Sequence, residues 1–182
     1  MRTARRAVLA AVVLAGAATA CGSSHTATSV AAVPTTVAGS PSGPLLYRCP
    51  VPAVTGATDL TRQPTIAAGT GSPPTRLTGA DLVVGSGSVA SASSTVKVRY
   101  VGALYANGQV FDASWTDPGG PSASFSLTQV IPGFRDAITG MKVGSRREVV
   151  IPPAEGYGAA GSPPAIPGNA TLVFVIDLLG VS

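Results

Sequence analysis

The sequence predicts an α+β fold: an antiparallel sheet of about five strands wrapped on one short helix. Three observations point there. Within residues 95–101, Val96, Val98 and Tyr100 alternate with Lys97 and Arg99, the period-2 signature of a strand buried on one side. Asn107-Gly108 follows shortly after, the strongest short-range signal for a two-residue hairpin. A single stretch, about 133–139, shows helical spacing, with Phe134, Ile138 and Met141 on one face. Hairpin-linked strands with one short helix argue for an antiparallel layer covered on one side.

The other elements follow in chain order. Asp81-Leu82-Val83-Val84, within residues 59–94, predicts an edge strand ahead of the hairpin. Residues 109–112 form the returning arm, 114–122 (SWTDPGGPS) a loop and 124–127 a short strand. Gly140 is a natural left-handed stop for the helix. A strand is expected at 146–151, then a Pro/Gly/Ala loop at 152–168. That loop is long for a compact domain and is therefore a candidate for function. Residues 171–179 (TLVFVIDLL) are apolar on both faces, which predicts a central strand.

Composition removes most enzyme chemistries. Of 182 residues, 22 are Gly and 16 are Pro, too many for a helical bundle and too aperiodic for collagen. Charged residues make up 11%, so Ser, Thr, Ala and Gly must cover much of the surface. The one His, His25, and both Cys, Cys21 and Cys49, precede residue 50. Residues 59–182 therefore offer no imidazole relay, no thiol nucleophile and no usual zinc set; no metal or other cofactor is expected. The acids Asp59, Asp81, Asp112, Asp117, Asp136, Glu148, Glu155 and Asp177 form no pair at helical spacing. Gly85-Ser86-Gly87 leads into a Ser/Ala-rich loop rather than a phosphate-cradling turn. The formal charge is +4, but three of the arginines are Arg2, Arg5 and Arg6. Without them the balance is close to neutral, and no nucleic-acid partner is expected.

The amino-terminal third reads as an export and anchoring device. Residues 1–20 have a basic start and an apolar run from Ala7 to about Ala18, shorter than a membrane span and suited to a secretory signal. Cys21 follows Ala18 and Ala20, which resembles a bacterial lipoprotein signal; lipidation of Cys21 is what that resemblance implies. Residues 21–58 are expected to be a flexible low-complexity tether, and 59–182 the folded domain. A tether of that length reaches on the order of 30–36 Å, enough to hold a domain clear of a membrane. The expected location is the outer face of the cell membrane, with a secreted or periplasmic protein as the alternative. The Arg5-Arg6 pair leaves Sec and twin-arginine export both open.

Eight of the nine aromatic residues lie between Tyr100 and Phe174, a density that fits either a compact core or a lined pocket. Their surroundings resemble a known family. Val98-Arg99-Tyr100-Val101-Gly102 and Gly108-Gln109-Val110-Phe111-Asp112-Ala113-Ser114 are similar to the VxYxG…GxxFDSS run of FKBP-type peptidyl-prolyl isomerases. Val130-Ile131-Pro132-Gly133-Phe134, Gly140-Met141-Lys142-Val143-Gly144, Ile151-Pro152-Pro153, Tyr157-Gly158 and Ala170-Thr171-Leu172-Val173-Phe174 continue the likeness in the same order, over about 93–182. The resemblance implies an FKBP-like fold and a peptidyl-prolyl cis-trans isomerase active on X–Pro segments of exported proteins. Asp112, Tyr157 and Phe111 would be the catalytic residues. Tyr100, Val130, Ile131, Phe134, Ile166 and Phe174 would bind substrate, with Ile131 N–H and the Tyr157 hydroxyl as donors to the bound chain. Macrolide ligands of the family are further possible partners, and a monomer is expected. Three positions depart from the family pattern. Phe134 stands where Trp is usual, Ala123 replaces an aromatic, and Ala165 is smaller than the usual Ile, which predicts an enlarged pocket. Phe125 is expected to serve the strand rather than the pocket, and Trp115 to cover the pocket edge. The alternative is a tethered, non-catalytic module that binds proline segments as a chaperone.

Overall fold

The computed structural model describes residues 51–116 and 121–182. Cys21, the expected leader, most of the expected tether and Cys49 lie outside the described residues. Two short strands come first, β1 (Val54–Thr55) and β2 (Thr65–Ile66), paired with each other. Then come β3 (Thr78–Val83), β4 (Thr95–Leu104), β5 (Val110–Ala113), β6 (Ala123–Ser126), α1 (Pro132–Ile138), β7 (Arg146–Ile151) and β8 (Leu172–Val181). The main sheet is antiparallel throughout, in the order β3-β7-β8-β4-β5, with β6 on the same side of β4 as β5. The central place of the last strand and the edge place of β3 are as the sequence predicts. The sheet has six strands rather than about five, because the edge beyond β4 is divided between β6 and β5.

Alternation along β4 sorts the two faces. Val96, Val98, Tyr100 and Leu104 turn inward, where α1 contributes Phe134, Ala137 and Ile138 and the long loop contributes Ile166. Val101, Ala103 and Tyr105 turn outward, with Val150, Val173 and Val175 beside them. The helix begins on Pro132, whose fixed φ suits the first turn. It stops before Gly140, which sits at φ +83° as a left-handed stop requires.

The outer face supplies the main correction to the sequence reading. The folded part begins before Asp59, because residues 51–76 lie across the sheet as a strap. Val51, Val54 and the buried Ile66 pack on the outward valines. Val101, Val150 and Val173 are completely buried as a result. An apolar outer face left bare would cost about 1.5–3 kcal/mol per large side chain, and the strap removes that cost. Arg146, fully buried, fixes it in place: Nε and Nη2 donate to Asp177, with Nη2–Oδ2 at 2.7 Å. Nη1 donates to Gly56 O (2.7 Å) and Asp59 O (3.0 Å), and Nη2 also reaches Arg62 O (3.3 Å). Five guanidinium donors and two carboxylate oxygens are thereby used in a dry layer, which is how a buried ion pair avoids a net desolvation cost. Beyond Asp59 the strap continues to Gly69, whose N–H donates to Tyr105 O (2.8 Å), and Thr70, whose carbonyl accepts from the Tyr105 hydroxyl (3.1 Å).

Candidate active site

On the inner face, the sheet, the helix and the long loop surround a cluster of aromatic rings. Phe174 of β8 is central. Its centroid lies 5.3 Å from Phe134, 5.6 Å from Phe111 and 6.2 Å from Tyr100. The first two contacts are edge-on, the geometry aromatic quadrupoles favour. Tyr100 also lies edge-on to Phe134 at 6.1 Å. Phe134, Tyr100 and Phe174 are buried, whereas Phe111 is only partly so and forms the open wall.

The wall fits because residue 102 has no side chain. A Cβ there would stand 2.7 Å from Phe111 Cζ and 2.7 Å from Phe174 Cε1. Gly102 pairs with Asp112 across β4 and β5 and with Phe174 across β4 and β8, so both rings close over it. This position is invisible to sequence reasoning unless the two rings are already known to meet.

Asp112 lies at the rim. Its residue is exposed, yet Oδ2 accepts a 2.6 Å hydrogen bond from the Tyr100 hydroxyl. The Tyr100 N–H donates to Ser114 Oγ at 3.0 Å, and Ser114 is fully buried. One tyrosine therefore grips both the end of β5 and the residue that follows it. Val130 and Ile131 flank the cluster, partly buried, just before α1. The Ile131 carbonyl accepts from Phe134 N–H (3.1 Å) and Arg135 N–H (3.2 Å).

The long loop is internally tied. Ser162 and Ile166 exchange backbone hydrogen bonds of 2.8 and 3.0 Å, which presses Ile166 into the core at 4% exposure. Asn169 N–H reaches back to Gly158 O at 2.8 Å. Tyr157 stands at 39% exposure in the same loop. Neither its hydroxyl nor the Ile131 N–H has a hydrogen-bond partner among the described residues.

The structure thus brings Tyr100, Phe111, Asp112, Phe134 and Phe174 together, with Val130, Ile131 and Ile166 at their margins. Two expectations change. Phe125 does more than build its strand: its ring sits 5.8 Å from Tyr100 and 5.9 Å from Phe134, inside the cluster. Trp115 does not cover the pocket edge. It packs on the outer face with Val101 and the strap, under the Arg99 guanidinium at 4.9 Å. Alternation explains the move, because Ala113 already faces outward and the short 3-10 turn Ser114–Thr116 keeps the chain on that side.

Among the described residues no three His, Cys, Asp or Glu gather as a metal site. Glu148 is the one buried carboxylate with an oxygen left unpartnered among the described residues, Oε1. It is on β7 beside the outer-face layer, and burial pushes it up to about 8, so it stays protonated at neutral pH. It is remote from the cup in register and serves no chemistry there. What the cup offers, among the described residues, is an aromatic surface with one carboxylate, Asp112, at its rim.

Known proteins resemble this chain in sequence and in fold. Residues 87–179 match the family model described as FKBP-type peptidyl-prolyl cis-trans isomerase. A probable FK506-binding protein of Corynebacterium glutamicum is 41% identical over 117 residues, covering 64% of this chain and 97% of the relative. A 46 kDa FK506-binding nuclear protein of Spodoptera frugiperda is 50% identical over 103 residues, 56% of this chain but only 24% of that longer protein. The crystal structure of a peptidyl-prolyl cis-trans isomerase from Pseudomonas syringae superposes with a TM-score of 0.53 at 36% identity, covering 58% of this chain and 75% of the other.

Proposed function

Since the chain belongs to the FKBP-type peptidyl-prolyl cis-trans isomerases, we propose that it catalyses rotation about X–Pro bonds in exported proteins, with the aromatic cup as its active site. The observation that carries this reading is the mutual packing of Tyr100, Phe111, Phe134 and Phe174 around a rim whose carboxylate, Asp112, is already held by Tyr100.

The reaction needs no more than such a surface. The barrier to rotation is roughly 18–20 kcal/mol and comes from amide resonance, while the cis and trans forms of X–Pro differ by only about 0.5–1 kcal/mol. The twisted amide is less polar than the planar one. A site that strips water and fixes the prolyl ring therefore favours the transition state over either ground state. Phe111, Phe134 and Phe174 hold the ring. Tyr157 and the Ile131 N–H orient the flanking carbonyls. Asp112, fixed by Tyr100, sets the field at the rim and braces Phe111. No proton is transferred and no covalent bond forms or breaks.

Macrolides that mimic a prolyl amide fit the same cup, in keeping with relatives named as FK506-binding. Lipidation at Cys21 and the low-complexity stretch after it would hold the domain, as a monomer, at the outer face of the membrane. Refolding of an exported protein limited by a prolyl bond tests the function. Acceleration at about one-hundredth molar ratio is expected, because isomerisation limits such phases to tens of seconds. Protection that only grows in proportion to added protein would make the cup a chaperone module instead. For the anchor, Cys21→Ala should move the protein from the membrane to the soluble fraction. A wild-type chain found wholly soluble would overturn that part.

A further inference from the structure

We infer that the strap, residues 51–76, is a positioning element for the cup, and that Arg99 is the residue that transmits it. The family match begins at residue 87, so the strap lies wholly ahead of the family domain. Arg99 and Tyr100 are neighbours on β4 and point to opposite faces. From the inner side, Tyr100 holds Asp112 through its hydroxyl and Ser114 through its N–H. From the outer side, the Arg99 guanidinium lies 4.9 Å over Trp115, the residue after Ser114. Its Nε donates to Pro121 O at 3.0 Å, and its Nη1 donates to Leu60 O, an atom of the strap, at 3.2 Å. One segment, 112–115, is thus gripped from both faces, and the outer grip closes on the strap.

The strap is fixed independently of Arg99. Arg146 holds it at Gly56, Asp59 and Arg62, and Tyr105 holds it at Gly69 and Thr70. It is therefore an anchor and not a passenger of the Arg99 side chain. Without it Arg99 loses one carbonyl acceptor and the apolar cover beside Trp115, and the inner grip alone sets where Asp112 and Phe111 stand. Loosening groups that hold the substrate equally in ground and transition state removes uniform binding, which reads as a raised KM. Arg99 is a positioning residue in this scheme, since it touches neither the cup nor its contents.

The kinetic readout rests on the isomerase reading, so the test carries a second readout that does not. Arg99→Met, the strap variant Ile66→Asp and the double variant form a cycle in the full chain. Both singles should raise KM for an X–Pro tetrapeptide by roughly three- to tenfold, and the double should be no worse than either, as for residues acting through one network. The kcat values should stay within about twofold. Arg99→Lys keeps the charge over Trp115 but not the two-carbonyl fork, and should restore part of the KM. Trp115 is the only Trp in the chain, so its emission should shift in both singles. Lower melting temperatures with unchanged KM, or effects that simply add, would make the strap a stabilising cover only and overturn the inference. If the wild-type chain does not accelerate exchange, the isomerase reading falls by itself. The cycle is then read in Trp115 emission and in the NMR chemical shifts of residues 112–115, where coupled changes uphold the inference and independent ones refute it.

Discussion

Adding one methyl group at Gly102 should damage catalysis more than it damages the fold. The new Cβ would lie 2.7 Å from Phe111 Cζ, 2.7 Å from Phe174 Cε1 and 2.9 Å from Phe111 Cε2. Carbon atoms pack best at about 3.5–4.0 Å, so the rings must retreat by about 1 Å in all. Phe174 has nowhere to go, with Phe134 at 5.3 Å and Tyr100 at 6.2 Å behind it. Phe111, the partly exposed partner, must swing into the mouth of the cup. Overpacking of this kind costs about 1–3 kcal/mol, a drop of roughly 3–15 °C in melting temperature. A displacement of about 1 Å at a substrate-holding ring should lower kcat/KM by roughly ten- to a hundredfold. The assay is exchange of an X–Pro peptide alongside calorimetry, with Gly180→Ala as control, where the added Cβ meets only Lys97 Cβ at an ordinary 3.7 Å. If folded Gly102→Ala keeps kcat/KM within twofold of wild type, the prolyl ring does not sit against Phe111 and Phe174.

Three other perturbations have outcomes set by the geometry. Burial holds Glu148 protonated up to about 8, while the unfolded carboxyl ionises near ~4.3. Between those values the folded state binds the extra proton, so stability should fall with rising pH and level off above about 8. Glu148→Gln should flatten that slope, and a wild-type melting temperature that is level or rises across the window would contradict it. Arg146→Met strands Asp177, which is 3% exposed, and should destabilise by about 3–5 kcal/mol in a denaturant titration; a loss under about 1 kcal/mol would mean the strap layer is wet. Tyr157→Phe should reduce the exchange rate modestly and Asp112→Leu more, since the first removes one donor and the second removes the carboxylate that accepts from the Tyr100 hydroxyl. Full rate in both would remove polar groups from the account.

The inner face was legible in the sequence because its signals are local. The alternation at Val96, Val98 and Tyr100 placed β4, and the ordered blocks from Val98 to Phe174 placed the rings. The outer face was not legible, because it depends on pairings between distant residues. Arg146 and Asp177 are 31 positions apart, and Arg146 and Gly56 are 90 apart. Asp177 inside an otherwise apolar strand was a usable sign, since a carboxylate there needs a buried cation. Residues 51–58 resembled the low-complexity stretch before them in their small residues, and only the bare valines they cover explain why they are ordered. Trp115 misled for a related reason: its nearness in sequence to Asp112 suggested the pocket, but strand alternation sends it to the opposite face.

The central claim is that an aromatic cup with no base accelerates prolyl rotation, and NMR exchange spectroscopy on an X–Pro peptide tests it most directly. With protein at about one-hundredth of the peptide concentration, cis–trans exchange should become far faster than the uncatalysed tens of seconds. The acceleration should be lost in Phe111→Ala. Exchange left at the uncatalysed rate by a folded wild-type chain, or acceleration that survives Phe111→Ala, would contradict the account.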